Sequence, residues 1–336
     1  MRVGLIGVGR IGMAHAQTLV GLTGVDAVLI ADLEPDHARD AAAKVGAQAV
    51  ASVRDLFAAG LDAVVIAAPT PTHDELIRVA IAARVPVFCE KPIAADLPST
   101  RALVADLAGA PVPLQVGFQR RFDPGYRAIR EAIAAGKLGW LHTLRACTSD
   151  PAPPPASYIA GSGGIFRDCS IHDFDAIRFV TGREVVDVYA TGANRGAEFF
   201  AEAGDVATGA ALLTLDDGTL AVCTATRYNG AGYDVRLEAC GSAGTAVAGL
   251  DEHAPLPTAP PSAWPSGAPY PGFLQRFATA YEAELQAFLE VAAGRAESPC
   301  TAEDALRALL VAEAATRSRV TGSRVDLREV ELEVAA

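Results

Sequence analysis

The sequence predicts an α/β fold in which a doubly wound parallel sheet is followed by an α+β domain with a large, mainly antiparallel sheet. Up to residue 118, short apolar runs alternate with helical stretches, a pattern typical of a parallel sheet with helices on both faces. Beyond residue 118, long strand-like runs follow one another, and Asp217-Gly218 between two of them indicates a hairpin. We therefore predict one domain over residues 1–118 and a second over residues 119–336.

Each predicted element follows from its local pattern. In the first domain the apolar runs predict strands at residues 3–6, 27–31, 63–67, 85–89 and 114–118, and the spacing between them predicts helices at 35–44, 72–83 and 99–107. In the second domain we predict strands at 139–148, 185–191, 206–215, 219–227 and 234–239, and helices at 124–135, 174–180, 273–291 and 302–317. The proline-rich residues 251–272 predict a loop.

Composition narrows the class of protein. The chain has 336 residues, 51% of them hydrophobic, and a net charge of −12, which disfavours a nucleic-acid backbone or an anionic membrane surface as its partner. No proline-free apolar run reaches the roughly 18 residues that a membrane helix needs. The six cysteines and six histidines show no paired ligand spacing, so we predict no metal site. Scattered cysteines are typical of reduced thiols, and we expect a cytoplasmic protein.

A glycine-rich loop follows the first predicted strand. Its sequence, Gly7-Val8-Gly9-Arg10-Ile11-Gly12, opens a helical stretch, and Asp32 ends the second strand 20 residues further on. In a Rossmann dinucleotide site these glycines permit the turn, the approach of the pyrophosphate, and close helix packing. Asp32 would bind the ribose hydroxyls and repel a 2′-phosphate, which predicts NAD over NADP. For the glycines the alternative is a generic tight turn. For Asp32 the alternative is a residue at the strand end that caps the next helix.

A second loop follows the predicted strand at residues 63–67. Ligands of such sheets bind at the carboxyl ends of strands, so Ala68, Pro69 and Thr70 are expected to line the nicotinamide side of the cofactor. The alternative is a proline-terminated strand with Thr72 as the N-cap of the next helix. His73 belongs to the same group of cofactor-side residues, but we assign it no chemistry.

Lys91, Asp168 and His172 are the residues most suited to moving protons. Glu90 and Lys91 follow the strand at residues 85–89 and are also candidates for binding the cofactor. Pro92 disfavours helical geometry at Lys91, so the lysine side chain is expected to project from the carboxyl end of the sheet. Asp168 and His172 are four residues apart, the spacing at which side chains on one helix face meet. Structural roles remain open: a surface lysine, an aspartate that caps the following helix, and a structural histidine.

These motifs together resemble the Gfo/Idh/MocA family of oxidoreductases (glucose–fructose oxidoreductase, inositol dehydrogenase, rhizopine catabolism) over nearly the whole chain. The resemblance is carried by the glycine loop, by Glu90-Lys91-Pro92, by residues 117–123 (GFQRRFD) and by residues 163–173, which include Asp168 and His172. With the arginine pair in residues 117–123, the pattern is most similar to the inositol 2-dehydrogenase branch.

The resemblance implies oxidation of a hydroxyl on a cyclic polyol, most closely myo-inositol. His172 would take the hydroxyl proton while C2 gives hydride to NAD, Lys91 would polarise the oxygen, and Asp168 would anchor the substrate. Arg121 and Tyr233 are further candidates for binding the substrate. The family also implies a homo-oligomer, a dimer or tetramer, in which the antiparallel sheets of two subunits pack face to face.

Two alternatives stay open. The segment after the strand that ends near Thr148 differs from that of inositol dehydrogenases, because Ser149-Asp150 is followed by a proline cluster. A dehydrogenase of another sugar or sugar derivative is therefore the first alternative. The second is a nucleotide-binding sensor or regulator on the same fold, which the presence of both Lys91 and His172 disfavours.

Overall fold

The computed structural model describes residues 1–256 and 263–335, and the chain forms two compact units. The first comprises Met1–Phe122 with Ala278–Leu306, and the second Asp123–Phe277 with Arg307–Ala336. Each unit is therefore assembled from two separate stretches of the sequence. Part of the loop predicted over residues 251–272, namely 257–262, lies outside the described residues, as does residue 336.

Strands and helices alternate through residues 1–122. The strands are β1 (Arg2–Ile6), β2 (Ala27–Ala31), β3 (Gln48–Ala49), β4 (Ala63–Ile66), β5 (Val87–Glu90) and β6 (Leu114–Gly117). The helices are α1 (Arg10–Gly21), α2 (Pro35–Val45), α3 (Val53–Ala58), α4 (His73–Ala82) and α5 (Leu97–Leu107). Short 3₁₀ turns lie at Thr70–Thr72 and Gln119–Phe122.

The strands of the first unit form one parallel sheet in the order β3-β2-β1-β4-β5-β6. This confirms the predicted doubly wound sheet, and the order is that of a Rossmann fold. The order reverses between β1 and β4, which makes their carboxyl ends the expected ligand-binding edge. Apart from the exposed β3, the strands are buried on both faces, which explains why their sequences are largely apolar runs.

The second unit contains most of the remaining elements. Its strands are β7 (Leu141–Ser149), β8 (Val185–Ala193), β9 (Thr208–Leu215), β10 (Leu220–Thr226), β11 (Asp234–Gly241) and β12 (Thr245–Ala248). Its helices are α6 (Pro124–Ala134), α7 (Ala156–Gly161), α8 (Ile171–Thr181), α9 (Phe199–Glu202) and α10 (Phe273–Arg276). A π-helix, Phe166–Ser170, runs directly into α8.

The end of the chain adds α11 (Ala278–Ala292), α12 (Ala302–Thr321), β13 (Val325–Asp326) and α13 (Leu327–Ala335). The single helix predicted over residues 273–291 is wrong, because the chain is interrupted at Phe277, where φ is −112°. Helix α11 belongs to the first unit, where Leu285 and Phe288 pack in the same core as Phe88 of β5. No helix in the described part of the chain has the length and apolar character needed to cross a membrane.

The second sheet has the order β12-β11-β7-β10-β9-β8-β13. Among the described strands of this second sheet only β7 and β10 pair in parallel, so the sheet is mainly antiparallel, as predicted. The predicted hairpin joins β9 to β10, and Gly218 adopts the positive φ of +85° that the turn needs. Helix α8 covers one face, where Thr148 of β7 donates a hydrogen bond to Asp173.

The opposite face of this sheet, here called the open face, presents a row of exposed side chains. The row crosses six neighbouring strands in register, and its members are Tyr189, Leu212, Val222, Arg145, Glu238 and Val247. Four of the six are large apolar residues at least 38% exposed. Arg145 and Glu238, in the same row, form an ion pair at 2.5 Å.

Candidate active site

The glycine loop between β1 and α1 has the geometry of a dinucleotide cradle. Gly7 adopts φ +93°, and a Cβ there would lie 2.6 Å from the backbone of Ala68. A Cβ on Gly12 would lie 2.1 Å from the carbonyl oxygen of Gly7. A Cβ on Gly9, in contrast, would have no described atom within 4 Å. Two glycines are therefore required by packing, and Gly9 leaves space at the helix N-terminus where a pyrophosphate can approach.

Asp32 lies one residue beyond β2 and binds the glycine loop directly. Its carboxylate accepts hydrogen bonds from the N–H of Val8 at 2.9 Å and from the N–H of Glu34 at 3.1 Å. A carboxylate has about four acceptor sites, so these bonds leave capacity for ribose hydroxyls. The alternative prediction, that Asp32 caps the next helix, is wrong, because the N-cap residue of α2 is Glu34. The residues of this edge fit a dinucleotide.

His73 holds two loops of the first unit together. Its ring nitrogens lie 2.7 Å from the carbonyl oxygen of Ala68 and 2.7 Å from that of Pro92, and the residue is buried. No chemistry was predicted for His73, and the structure places it between the loop at residues 68–70 and the loop that carries Lys91. Thr72 is the N-cap residue of α4, as the alternative predicted, but its hydroxyl donates to the carbonyl of Pro69 and forms no capping hydrogen bond with the helix.

Glu90 forms a buried pair that the sequence analysis missed. Its carboxylate lies 2.7 Å from Nε2 of His15, a residue of α1 with no solvent exposure. The edges of Phe88 and Tyr281 pack against the same imidazole. His15 could have been found, because it falls at helical spacing among the buried residues Gly12, Ala16 and Leu19 of α1. His15 therefore holds the side chain of Glu90 in place. Lys91 follows Glu90 at the carboxyl end of β5 and is half-buried.

Arg121 has structural partners in its own unit. Its guanidinium donates to the carbonyl of Pro299 at 2.9 Å and pairs with the carboxylate of Asp304 at 3.0 Å. Burial alone would raise the pKa of Asp304, but the charge of Arg121 and the N–H of Thr301 outweigh it and lower that pKa. The role of Arg121 in substrate binding stays a prediction.

In the second unit, Asp168 lies in the π-helix that precedes α8. π-Helices are rare and occur often at functional sites. The prediction that Asp168 caps α8 is wrong, because the N-cap position is Ser170. One carboxylate oxygen of Asp168 accepts a hydrogen bond from the hydroxyl of Tyr158 at 2.9 Å, and the other from Arg227 at 2.5 Å.

Arg227 joins two carboxylates and was missed by the sequence analysis. Its guanidinium is 4% exposed and also binds Asp150 at 3.0 Å. Burial opposes the charge of Arg227, yet the neighbouring Cys169 and the two aspartates outweigh it and raise the pKa of Arg227. Partial burial and the adjacent Asp168 carboxylate likewise raise the pKa of Tyr158, which keeps its phenol protonated. Asp168 is thus held by one cationic and one neutral donor.

His172 and Tyr233 complete the predicted set in the second unit. His172 is half-buried in the first turn of α8, next to Asp173, whose carboxylate accepts the hydroxyl of Thr148 at 2.8 Å. Tyr233 is 6% exposed and immediately precedes β11. The catalytic and substrate-binding roles of these residues stay predictions. No group of three or more histidine, cysteine, aspartate or glutamate side chains in the described ranges could hold a metal ion.

Comparison with known proteins gives two family matches. Residues 1–118 match the oxidoreductase family with an NAD-binding Rossmann fold, and residues 126–247 match the GFO/IDH/MocA C-terminal domain. A myo-inositol dehydrogenase from Streptomyces leeuwenhoekii is 42% identical, covering 96% of this chain and 98% of its own length.

Two solved structures are similar over almost their whole length. A myo-inositol dehydrogenase from Corynebacterium glutamicum has a TM-score of 0.89 and 38% identity, covering 97% of this chain and 98% of its own. A scyllo-inositol dehydrogenase from Lactobacillus casei, with bound NAD(H) and scyllo-inositol, has a TM-score of 0.88 and 32% identity, covering 98% of this chain and 99% of its own.

Proposed function

Because the chain belongs to the Gfo/Idh/MocA family of NAD-binding oxidoreductases, we propose that it oxidises the C2 hydroxyl of myo-inositol to the 2-ketone. The observation that carries the proposal is the combination of a dinucleotide cradle in one unit with the Asp168 and His172 pair in the other. Similarity to inositol dehydrogenases over nearly the full chain supports the substrate.

The cofactor is held by the first unit. The N-terminus of α1 at Gly9 would bind the pyrophosphate, and Asp32 would bind the adenosine ribose. When bound, NAD supplies the hydride acceptor. His73 fixes the loop of Ala68 that would line the nicotinamide side. The carboxylate of Asp32 supports a preference for NAD, because it would repel a 2′-phosphate.

The substrate is oxidised with loss of one hydride from carbon and one proton from oxygen. We assign the proton to His172, whose imidazole is a suitable general base near neutral pH. Lys91 would donate a hydrogen bond to the reacting oxygen and stabilise the charge that develops on it. Asp168, which is bound by Arg227, would accept a hydrogen bond from a substrate hydroxyl.

The second candidate function is oxidation of a different cyclitol or sugar by the same residues. It is favoured by the similarity to a structure that contains scyllo-inositol, and by the proline-rich segment after Asp150. The test is NADH formation by purified protein with NAD or NADP and myo-inositol, scyllo-inositol, chiro-inositol or glucose. We expect turnover with myo-inositol and NAD. Turnover of another polyol would change the substrate, and NAD binding without any turnover would favour a sensor.

A homo-oligomer formed through the open face is also proposed. The row of Tyr189, Leu212, Val222 and Val247 is apolar and exposed, and burial of such a face releases water from it. We expect a dimer or tetramer in analytical ultracentrifugation. Leu212→Glu, which puts a charge at the centre of this row, is expected to shift the protein toward the monomer, and an unchanged mass would refute the interface.

Localisation in the cytoplasm is proposed from the cysteines. In the described part of the chain no cysteine forms a disulfide; the six cysteines are Cys89, Cys147, Cys169, Cys223, Cys240 and Cys300. Free thiols in this number are typical of a reducing compartment. Thiol titration of the protein purified without reductant is expected to give six free thiols after unfolding.

A further inference from the structure

Tyr158 contacts Asp168 from the exposed side. The phenol is 46% exposed, whereas Arg227, which binds the other carboxylate oxygen, is 4% exposed. One donor is therefore buried, ionic and fixed, and the other is neutral and open to solvent. A polyol that approaches Asp168 from the solvent therefore meets the carboxylate oxygen of Asp168 and the hydroxyl of Tyr158 together.

The position of Tyr158 is fixed by its own helix. The prolines 151, 153, 154 and 155 precede α7, and prolines restrict the backbone that leads into the helix. The next residue, Ile159, is 2% exposed and packs with Phe200 and Ala207 in a small core of the second unit. Tyr158 is thus presented by an anchored helix, not by a loosely held loop.

The hydroxyl of Tyr158 has capacity for a second hydrogen bond. It donates to Asp168 at 2.9 Å, and in the described part of the chain no group donates to its oxygen. Its raised pKa keeps it a phenol, which both donates and accepts. The distance of 2.9 Å to the carboxylate oxygen is close to the separation of the oxygens on neighbouring carbons of a polyol ring.

We propose that Tyr158 is a specificity-determining residue which, with Asp168, binds two neighbouring hydroxyl groups of the substrate. One hydroxyl would donate to Asp168 and its neighbour to the oxygen of Tyr158. The substrate class is therefore a cyclic polyol with a hydroxyl next to the one that Asp168 binds. This inference rests on the proposed oxidation of a polyol.

The test combines Tyr158→Phe with substrates that lack one hydroxyl. The kcat/KM of wild type and variant is measured for myo-inositol and for its deoxy analogues, each of which lacks one hydroxyl other than the reacting one. We expect Tyr158→Phe to lower kcat/KM for myo-inositol about tenfold, the effect of one lost hydrogen bond. For the analogue without the contacted hydroxyl, we expect wild type and variant to agree within about twofold, because neither can form this bond.

Tyr228→Phe is the matched control. Tyr228 is 41% exposed, and its hydroxyl accepts a hydrogen bond from the N–H of Ala197 at 3.1 Å in the same unit. This variant is expected to keep wild-type kcat/KM for every substrate. The exposure of Tyr158 predicts that its own variant unfolds at the wild-type temperature.

The outcomes separate the two proposals. An equal loss on myo-inositol and on all deoxy analogues, or no loss on any of them, would overturn the role of Tyr158 and leave the oxidation standing. Failure of the wild type on every polyol of the panel would instead refute the proposed function. If the wild type turns over a different polyol, the same comparison is made with that polyol and its deoxy analogues.

Discussion

Replacing Arg227 by methionine is expected to destabilise the second unit more than any surface change. The guanidinium binds Asp168 at 2.5 Å and Asp150 at 3.0 Å, and methionine keeps only the apolar stem. A hydrogen bond to a charged group contributes about 1.5 to 3 kcal/mol, and Asp150 is 23% exposed, so its share is discounted for solvent screening. We expect a loss of about 3 kcal/mol in the free energy of unfolding.

The double variant Arg227→Met, Asp150→Asn shows whether the loss of stability comes from carboxylates left without a cation. In Arg227→Met the carboxylates of Asp150 and Asp168 lose the cation that they share, and Asp150→Asn removes one of these two negative charges. The double variant is therefore expected to be about 1 kcal/mol more stable than the single variant Arg227→Met, although Asp150→Asn alone is expected to destabilise the wild type.

Urea unfolding followed by tryptophan fluorescence measures both effects. Trp140 and Trp264 both belong to the second unit, so the signal reports the unit that carries the change. Arg227→Met within about 0.5 kcal/mol of the wild type, or a double variant less stable than the single one, would refute the reasoning. The catalytic effect is measured separately, and kcat is expected to fall because Asp168 loses a fixed orientation.

Three further predictions concern the first unit. Lys91→Ala is expected to lower kcat by a factor of about 10² or more and to leave the Kd for NAD nearly unchanged in fluorescence titration; near-wild-type turnover would remove Lys91 from the mechanism. His73→Leu is expected to lower kcat and to weaken NAD binding together, because it releases the loops of Ala68 and Lys91; His73→Gln, which keeps one donor, is expected to recover part of both. Asp304→Asn is expected to destabilise the protein at neutral pH. Folding lowers the pKa of Asp304 from 3.8, so the stabilisation is present above about pH 4 and is lost as pH falls through the lowered value; a difference between variant and wild type that persisted in acid would contradict this assignment.

The sequence predicted the parallel sheet well because its strands are short, buried on both faces and separated by helices. The runs at residues 3–6, 27–31 and 63–67 correspond closely to β1, β2 and β4. Strand β3 was missed, since Gln48–Ala49 is two residues long and exposed, and no apolar run marks it. The break at Phe277 was missed because its side chain continues the apolar pattern of α11 while its backbone does not.

The residues of the site were predictable where a local pattern carries them. The glycine loop and Asp32 follow from spacing alone, whereas Arg227 lies 59 residues from Asp168 and meets it only through the fold. A single arginine at the end of a strand gives no local signal of a buried partner. His15 did give a signal, as a polar residue on the buried face of α1, but nothing in the sequence pointed from it to Glu90.

The return of the chain to the first unit fixes an order of events during synthesis on the ribosome. Leu285 and Phe288 of α11 complete the core around Phe88, and they are made more than 150 residues after β6 ends. At roughly 5 to 20 residues per second, the nucleotide-binding unit waits on the order of 10 to 30 s for its last helix. During that interval the apolar surface around Phe88 lacks helix α11, so we expect a nascent chain stalled before residue 278 to expose this surface to chaperones.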